Sequence, residues 1–452
     1  MKVVIVGSNH AGISTAATLT NYYKDLEITV FEQSDSIAYI GADGLLWVSG
    51  EIDNIEQTLY SSPGKLISKG INFQGSTNVY EIDQNKNQVL AKNSQEQVIV
   101  ARYDKLVLAC GSSPIRTIDL NILQKATHYP QILTAKTLSE GKKLFDISRK
   151  TDLSKVAVIG GGYIGVETVN AFRLARPDIT IDLWQKSDQI LNNYFDKKFA
   201  DMAKQELNEH NINVILNETL TSSCPEILSY DLVVEAIGFH PNSQMGNLDR
   251  IEPSKAYKVN NYGQTSDPNI YAVGDCASVY NNVLEQYVNM PLGSYATHSA
   301  IVAAHHIGSQ IENIESKHKY NGSQGASTVK VFDIILSSVG MTYEVAKNKL
   351  ADDVDIIDFS NFIKPKYLTI EQGNAPITIR AVFNKKTLLL LGFQIACSQD
   401  VTPIIHLLSL ALQKKMTAYQ LRYLDMFFLP ELNQVYNYLQ RLLSQIIKSH
   451  NL

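Results

Sequence analysis

The 452-residue sequence contains few cysteines, and they lie far apart. The four are Cys110, Cys224, Cys276 and Cys397. Their spacing excludes a zinc ribbon and a short redox-active dithiol motif. Sparse, separated cysteines are typical of a reducing compartment, so we expect a cytoplasmic protein.

Long hydrophobic runs and a strong charge imbalance are also missing. The longest strongly apolar run, Leu388–Phe393, is far shorter than the roughly 20 residues that span a bilayer. Lysine and arginine total 40 and aspartate and glutamate total 45, which gives a net charge of −5. We therefore expect no membrane or nucleic-acid partner, and no targeting segment before the first apolar run.

The sequence does contain one strand–turn–helix–strand plan in two copies. Each copy begins with a continuous apolar run, which is typical of a strand buried on both faces of a parallel sheet. The first copy comprises a strand at 2–6, a glycine turn at 7–12, a helix at 13–23 and a strand at 27–31. The second comprises the ranges 155–159, 160–165, 166–175 and 179–184. This duplication predicts two nucleotide-binding domains of the α/β class.

The glycine turns have the spacing that brings a backbone close to a pyrophosphate at a helix N-terminus. The motif positions are Gly7, Asn9 and Gly12 in the first copy, and Gly160, Gly162 and Gly165 in the second. One such turn is weak support for a nucleotide site. Two turns, each between a strand and a helix, are strong support.

The end of the second strand in each copy predicts how a ribose is bound. Glu32 lies 25 positions after Gly7, where an acid accepts hydrogen bonds from ribose hydroxyls. The same step from Gly160 reaches Gln185, which can bond a ribose but does not repel a 2′-phosphate. NADH and NADPH both remain open on this basis, as does the alternative that Gln185 is only a solvated loop residue.

Three further strands end in polar or glycine-rich turns. The strand at 269–273 is followed by Gly274 and Asp275, and an Asp at this end of a parallel strand faces the ligand crevice. Asp275 is expected to bond a flavin ribityl hydroxyl, to cap the next helix, or both. The strands at 105–109 and 231–237 stop at Gly111 and Gly238, in stretches that resemble each other.

From about residue 325 no glycine-rich nucleotide turn occurs. The ranges 329–338 and 381–396 are predicted as strands of a hairpin-like sheet, and 401–412 and 419–426 as helices. We therefore expect a third, α+β domain at the end of the chain.

Together these motifs resemble the pyridine nucleotide-disulphide oxidoreductase superfamily, and most the branch of NADH oxidases, NADH peroxidases and coenzyme A-disulphide reductases. The resemblance covers nearly the whole chain and is carried by residues 6–12, 108–114, 160–167, 237–242, 271–277 and 426–438. It implies an α/β fold with two Rossmann-like dinucleotide-binding domains and a C-terminal α+β dimerisation domain. It also implies FAD as cofactor, NADH or NADPH as substrate, and a homodimer.

The corresponding domain division follows the strand pattern. We expect an FAD-binding domain in two segments, 1–115 and 244–324, an NAD(P)-binding domain at 116–243, and the dimerisation domain at 325–452. The positions matching FAD contacts are Gly7, Asn9, His10, Gly12, Glu32, Gly111, Gly274 and Asp275. Those matching NAD(P) contacts are Gly160, Gly162, Tyr163, Ile164, Gly165, Gln185 and Gly238.

The resemblance also implies catalytic roles. Tyr163 matches the aromatic residue that covers the flavin until nicotinamide displaces it, and Glu167 matches a carboxylate near the nicotinamide. His10 matches the active-site histidine, with packing or capping of the first helix as the alternative.

The sequence departs from the family at its redox cysteine. Ala42 stands where the cysteine is expected, and an alanine methyl cannot cycle between redox states. Asp43 also replaces the glycine that follows in the family motif, which favours natural divergence over a designed substitution. Cys110 and Cys276 are interpreted as small filler residues near the flavin.

We therefore predict an FAD-dependent NAD(P)H oxidoreductase without a catalytic metal. It passes hydride from nicotinamide to flavin, and the electrons then leave to oxygen with release of peroxide, or to another diffusible small molecule. Two alternatives are a catalytically retired relative that binds FAD and nicotinamide as a sensor or partner, and a ferredoxin-type reductase. The second alternative lacks support from any lysine- and arginine-rich cluster.

Overall fold

The computed structural model describes residues 1–34, 37–363 and 374–450. In residues 1–115 the elements are β1 (Lys2–Val6), α1 (His10–Tyr22), β2 (Glu27–Phe31), α2 (Asp43–Ser49), α3 (Pro63–Ile67), β3 (Asn72–Gln74), β4 (Thr77–Asp83), β5 (Gln88–Asn93), β6 (Val98–Arg102), β7 (Lys105–Leu108) and β8 (Ser112–Pro114). β1 lies between β2 and β7 in a parallel sheet. Its side chains are buried on both faces, because α1 covers one face and the antiparallel sheet β4–β5–β6 the other.

Residues 116–243 repeat this plan. Their elements are α4 (Leu120–Leu123), β9 (Gln131–Leu133), α5 (Leu138–Ser148), β10 (Lys155–Ile159), α6 (Tyr163–Ala175), β11 (Thr180–Gln185), α7 (Lys197–Glu209), β12 (Ile212–Leu216), β13 (Leu232–Glu235) and β14 (Phe239–Pro241). The parallel sheet has the order β12–β11–β10–β13–β9. β10 pairs with β11 and β13 in the way that β1 pairs with β2 and β7.

Residues 244–324 return to the first sheet. They contain β15 (Ile270–Ala272), β16 (Ser278–Asn281), β17 (Gln286–Asn289) and α8 (Gly293–Ile311). β15 pairs in parallel with β7, with Ile270 opposite Leu106. The first sheet therefore has the order β15–β7–β1–β2–β3, and α8 packs beside α1 on one of its faces.

A short antiparallel ribbon joins the two nucleotide units where the chain crosses between them. β8 ends the first segment and β14 ends the second unit, and the two strands pair with Pro241 opposite Ser112. The Asn242 amide donates to the carbonyl of Cys110 at 2.9 Å, which extends the connection. The two stretches that look alike in sequence are therefore paired with each other.

The C-terminal unit is an antiparallel sheet with helices on it. It contains β18 (Ser327–Val331), β19 (Ile334–Gly340), α9 (Tyr343–Leu350), β20 (Val354–Ile363), β21 (Ile377–Asn384), β22 (Leu390–Cys397), α10 (Pro403–Gln413), α11 (Ala418–Arg422) and α12 (Tyr438–Ser449). The strand order is β18–β19–β22–β21–β20. α10 and α12 pack their apolar residues against this sheet, as an α+β arrangement requires. In the described part of the chain, no helix combines the length and apolarity needed to cross a membrane.

A buried carboxylate anchors the C-terminal unit to the second nucleotide unit. Asp196, just before α7, accepts hydrogen bonds from the Gln394 amide at 2.7 Å and the Tyr343 backbone at 3.1 Å. Its Oδ2 also lies 3.1 Å from Nη1 of Arg380, whose guanidinium forms a two-point pair with Asp358. The Asp196 side chain is 2% exposed, so its charge depends on these partners.

Some predicted elements differ from the structure. The single strand predicted at 329–338 is the hairpin β18–β19, which turns at Phe332 with a φ of 45°. The strand predicted at 381–396 is likewise two strands, β21 and β22, and the helix predicted at 419–426 is only Ala418–Arg422. The turn inside the range 329–338 contains no glycine, asparagine or proline, and Asp333 is the one residue there that is typical of turns.

Candidate active site

The two glycine turns share one backbone geometry. Gly7 and Gly160 have φ values of 101° and 105°, a region that L side chains rarely adopt. A Cβ on Gly7 would lie 2.2 Å from the carbonyl oxygen of Ala109, and one on Gly160 would lie 2.5 Å from that of Ala236. Glycine is therefore required at both positions, as the motif predicts.

The third glycine of each turn lets the helix lie against the turn. A Cβ on Gly12 would be 1.9 Å from the carbonyl oxygen of Gly7, and one on Gly165 would be 1.8 Å from that of Gly160. The middle position differs between the copies. Gly162 has open space around it, whereas Asn9 carries an exposed side chain.

The helices that follow the turns have free N-termini. Neither α1 nor α6 has a side-chain hydrogen bond from its N-cap residue or an acidic residue in its first turn, among the residues described. By contrast, α3, α5 and α9 are capped by Ser62, Thr137 and Thr342. The backbone N–H groups at these two helix starts are thus available to an anionic ligand, which fits a pyrophosphate at each turn.

The two residues predicted to bind a ribose also form hydrogen bonds with the glycine turns. Oε2 of Glu32 accepts hydrogen bonds from the backbone and hydroxyl of Ser8, at 2.8 and 2.9 Å. In the second copy Oε1 of Gln185 accepts from the backbone of Gly161 at 2.8 Å, and its amide donates to the Ser187 hydroxyl at 2.5 Å. Both side chains therefore lie at the mouth of their turn, and Gln185 is more than a solvated loop residue.

Asp275 is held by two residues that sequence reasoning missed. It follows Gly274, which has a φ of 71°, in a short 3₁₀ turn. Its Oδ2 accepts from the Ser112 hydroxyl at 2.7 Å and from the Lys136 ammonium at 3.2 Å. Lys136 also lies over the ring of Phe239 at 4.2 Å. Ser112 and Phe239 are the first residues of β8 and β14, so this ion pair lies beside the interdomain ribbon. Gly111 and Gly238, which precede these strands, both have positive φ.

His10 is the first residue of α1, and its ring stacks on Tyr60 with 5.4 Å between ring centroids. The Tyr60 hydroxyl is 3.1 Å from Nδ1 of His10. Burial lowers the pKa of His10 below its usual 6.5, Asp275 raises it and Lys136 lowers it. Burial also raises the pKa of Tyr60, so its hydroxyl keeps its proton. His10 is therefore neutral near pH 7.

Ala42 immediately precedes α2 and is exposed. Its carbonyl accepts hydrogen bonds from the backbones of Leu45 and Leu46, at 3.0 and 3.1 Å. The segment before it is held against the first glycine turn, because the backbone of Ala38 donates to the carbonyl of Ser8 at 3.3 Å. The predicted cysteine position thus lies at a helix start tied to the turn.

The predicted nicotinamide residues begin α6. The Tyr163 ring stacks on Tyr194 with 4.0 Å between centroids, and its hydroxyl donates to Ser327 at 2.6 Å. Ile164 packs against the hydrophobic core of this unit. Glu167 is half-buried one turn further along, and this burial raises its pKa to about 7.

One group among the described residues could ligate a metal. Glu206, His210 and Asp333 bring ligand atoms within 4.8 Å of one another, between α7 and the β18–β19 turn. None of the three is among the residues predicted for the site.

Comparison with known families identifies this arrangement. Residues 1–296 match the family model described as pyridine nucleotide-disulphide oxidoreductase, and residues 326–438 match the dimerisation domain of the same family. The chain belongs to the pyridine nucleotide-disulphide oxidoreductase family. The predicted family, oxidoreductase class and α/β fold are therefore confirmed.

Relatives agree with this assignment. The chain is 33% identical to an NADH oxidase of Lactococcus lactis, over 97% of this chain and 98% of that protein. A solved structure of a water-forming NADH oxidase from Lactobacillus brevis, bound to NADH, matches with a TM-score of 0.89 and 26% identity, over 100% and 99% of the two chains. A putidaredoxin reductase complex, at 19% identity and a TM-score of 0.73 over 100% and 99% of the chains, shows similarity of fold alone.

Proposed function

We propose that this chain is an FAD-dependent NAD(P)H oxidoreductase that passes electrons to oxygen or another small diffusible acceptor. The observation that carries the proposal is the pair of glycine turns with one geometry, at Gly7–Gly12 and Gly160–Gly165, in a member of this family. FAD, when bound, supplies a ring that accepts a hydride and gives up electrons singly or in pairs.

The first turn would hold FAD. Gly7 and Gly12 let its pyrophosphate approach the free start of α1, and Asn9 borders the same space. Glu32 would accept from the adenosine ribose, and Asp275, oriented by Lys136, would accept from the ribityl chain.

The second turn would hold the nicotinamide dinucleotide. Gly162 leaves open space beside the free start of α6 for the pyrophosphate. Gln185, at the mouth of this turn, carries no charge that repels a 2′-phosphate, so the chain accepts NADH or NADPH. Tyr163 would move aside as nicotinamide binds, which breaks its bond to Ser327.

His10 would supply a proton donor to the acceptor. The Tyr60 hydroxyl lies 3.1 Å from Nδ1 of neutral His10, and in the tautomer in which this hydroxyl donates to Nδ1 the single ring proton is on Nε2. An N–H at Nε2 can hydrogen-bond an oxygen atom of a bound small molecule.

Ala42 decides the fate of the electrons when oxygen is the acceptor. Two-electron reduction of oxygen gives hydrogen peroxide, and further reduction requires a second reductant. A methyl group at position 42 cannot be oxidised to a sulfenate, so it cannot reduce peroxide. We expect peroxide to leave as the product.

The dimer would form through the segment 423–436 of the C-terminal unit. Its side chains Tyr423, Phe427 and Val435 are 76%, 69% and 67% exposed, which is unusual for apolar residues close together in sequence. The family's dimerisation model also covers this segment. A second copy of the chain would bury it.

The compartment would be the cytoplasm. The four cysteines are all free thiols, and the thiols of Cys110 and Cys276 lie close enough to share a hydrogen bond. Free thiols in this number fit a reducing environment.

The test is oxygen consumption by the purified, FAD-loaded protein with NADH, and separately with NADPH. Catalase is added when the nicotinamide is exhausted. Return of one oxygen molecule for every two consumed supports a peroxide-forming oxidase. Consumption without return contradicts the role given to Ala42. If neither cofactor bleaches the flavin under anaerobic conditions, the oxidoreductase proposal fails.

A further inference from the structure

The side chain of Asp43 is buried, and one of its carboxylate oxygens has no partner in the part of the chain that the structure describes. It is the first residue of α2, directly after Ala42, and is 5% exposed. Its Oδ2 atom is fully buried and has no hydrogen-bond partner among the described residues, and no ion pair involves Asp43 there. A buried carboxylate oxygen without a donor is costly, so native proteins keep few of them, and those that occur are associated with strain, a redox or catalytic role, or a bound water, ion or ligand.

One other described carboxylate has an unpartnered buried oxygen, and it differs from Asp43. Glu235 also leaves Oε2 without a partner, but its Oε1 accepts three hydrogen bonds from Thr117 and Ile118. Glu235 is thus held by the chain that enters the second unit, in contrast to Asp43. The position of Asp43 needs another explanation.

Asp43 belongs to the charged groups around the predicted flavin position. It lies close enough to His10 to raise the pKa of that ring, on which Asp275 and Lys136 also act. Asp275 and Lys136 pair with each other, and Lys136 bonds Ser112 as well. Of these charged side chains, that of Asp43 is the one with no hydrogen bond or ion pair to any residue that the structure describes.

We propose that Asp43 places its carboxylate against the ring of bound FAD and lowers the reduction potential of the flavin. This inference rests on the proposed function, because it requires FAD in the first unit. Reduction adds electrons to the ring, and a negative charge in a poorly solvated position nearby opposes that gain. The family pattern has glycine at the position of Asp43, so a carboxylate at this position distinguishes this chain from that pattern.

A lower potential suits a flavin that has no cysteine beside it. Without a thiol at position 42, the electrons leave directly to a diffusible acceptor. A flavin of lower potential is a stronger reductant, and transfer to that acceptor is then more favourable. The same change makes reduction of the flavin by nicotinamide less favourable, so the effect is on the balance between the two half-reactions.

The test is the midpoint potential of the FAD-loaded protein, measured by spectroelectrochemistry for the wild type, Asp43→Asn and Asp53→Asn. Asparagine keeps the shape of Asp43 and removes the charge. Asp53 is an exposed carboxylate shortly after α2, so Asp53→Asn makes the same change of net charge away from the buried position. We expect Asp43→Asn to raise the potential by about 30 mV or more, which for two electrons is a tenfold change in the equilibrium constant.

Three results would overturn the proposal. They are an unchanged potential in Asp43→Asn, a lowered one, or an equal rise in the Asp53→Asn control. If Asp43→Asn folds poorly, Asp43→Gly restores the residue expected from the family pattern and must raise the potential in the same direction. A wild-type protein that binds no FAD would refute the proposed function itself. Failure of this inference alone leaves FAD bound and the potential insensitive to Asp43.

Discussion

Glu167 gives the protein a pH dependence of stability that can be worked out from the structure. Burial raises the pKa of its carboxyl from 4.5 to about 7, so the folded protein binds this proton more tightly than the unfolded chain does. Below pH 4.5 both states carry the proton. As pH rises from 4.5 to 7 the unfolded chain loses it first, and stability falls. Above pH 7 the folded protein has also lost this proton, and the stability that the proton contributed is gone.

The size of the effect follows from the shift. A difference of about 2.5 pKa units, at 1.36 kcal/mol per unit, is about 3 kcal/mol. Glu167→Gln removes the titrating group and keeps its shape. The free energy of unfolding of the variant, relative to wild type, should therefore rise by about 3 kcal/mol between pH 4.5 and pH 8. Urea unfolding followed by circular dichroism at a series of pH values measures this.

The control is Glu209→Gln, an exposed carboxylate at the end of α7 in the same unit. It should show a pH-dependent difference below about 0.5 kcal/mol, as exposed substitutions usually do. If Glu167→Gln behaves like this control, burial does not perturb Glu167 and the reasoning is wrong.

Three other predictions concern binding, stability and assembly. Gly165→Ala adds a methyl group 1.8 Å from the carbonyl oxygen of Gly160, so titration calorimetry should show no NADH binding, while flavin absorbance is retained. Loss of both cofactors would mean that the variant is misfolded. Asp196→Ala removes the buried carboxylate that pairs with Arg380 and Gln394. It should lower the free energy of unfolding, measured in urea, by about 3 kcal/mol. A decrease of less than about 1 kcal/mol would contradict the role of Asp196 as an anchor. Phe427→Asp should give a monomer by light scattering, and a persistent dimer would place the interface elsewhere.

The local parts of the site could be predicted from sequence. β10 has the bounds expected, and the first and third glycines of each turn need positive φ or close approach, as their spacing indicates. Such features depend on residues near in sequence. An apolar run, a glycine turn and a helix start lie within about 30 residues in a βαβ unit, so the local sequence pattern is sufficient to predict the strand, the turn and the start of the helix.

The partners of the site residues could not be predicted. Tyr60 reaches His10 from 50 positions away, and Lys136 reaches Asp275 from 139 positions away. Nothing in the spacing of these residues marks the contact, which exists only because separate segments return to one sheet edge. The unpartnered state of Asp43 is also a property of tertiary packing, and sequence reveals only that an acid replaces the expected glycine.

The ribbon formed by β8 and β14 has a mechanical consequence. Both chain crossings between the nucleotide units pass through it, and its strands are hydrogen-bonded to each other, so the two units cannot separate there without breaking those bonds. A two-stranded ribbon resists extension but yields to twisting and bending. Motion of the nicotinamide unit relative to the flavin unit should therefore be rotation about a hinge at this ribbon, close to Gly111 and Gly238, which both have positive φ.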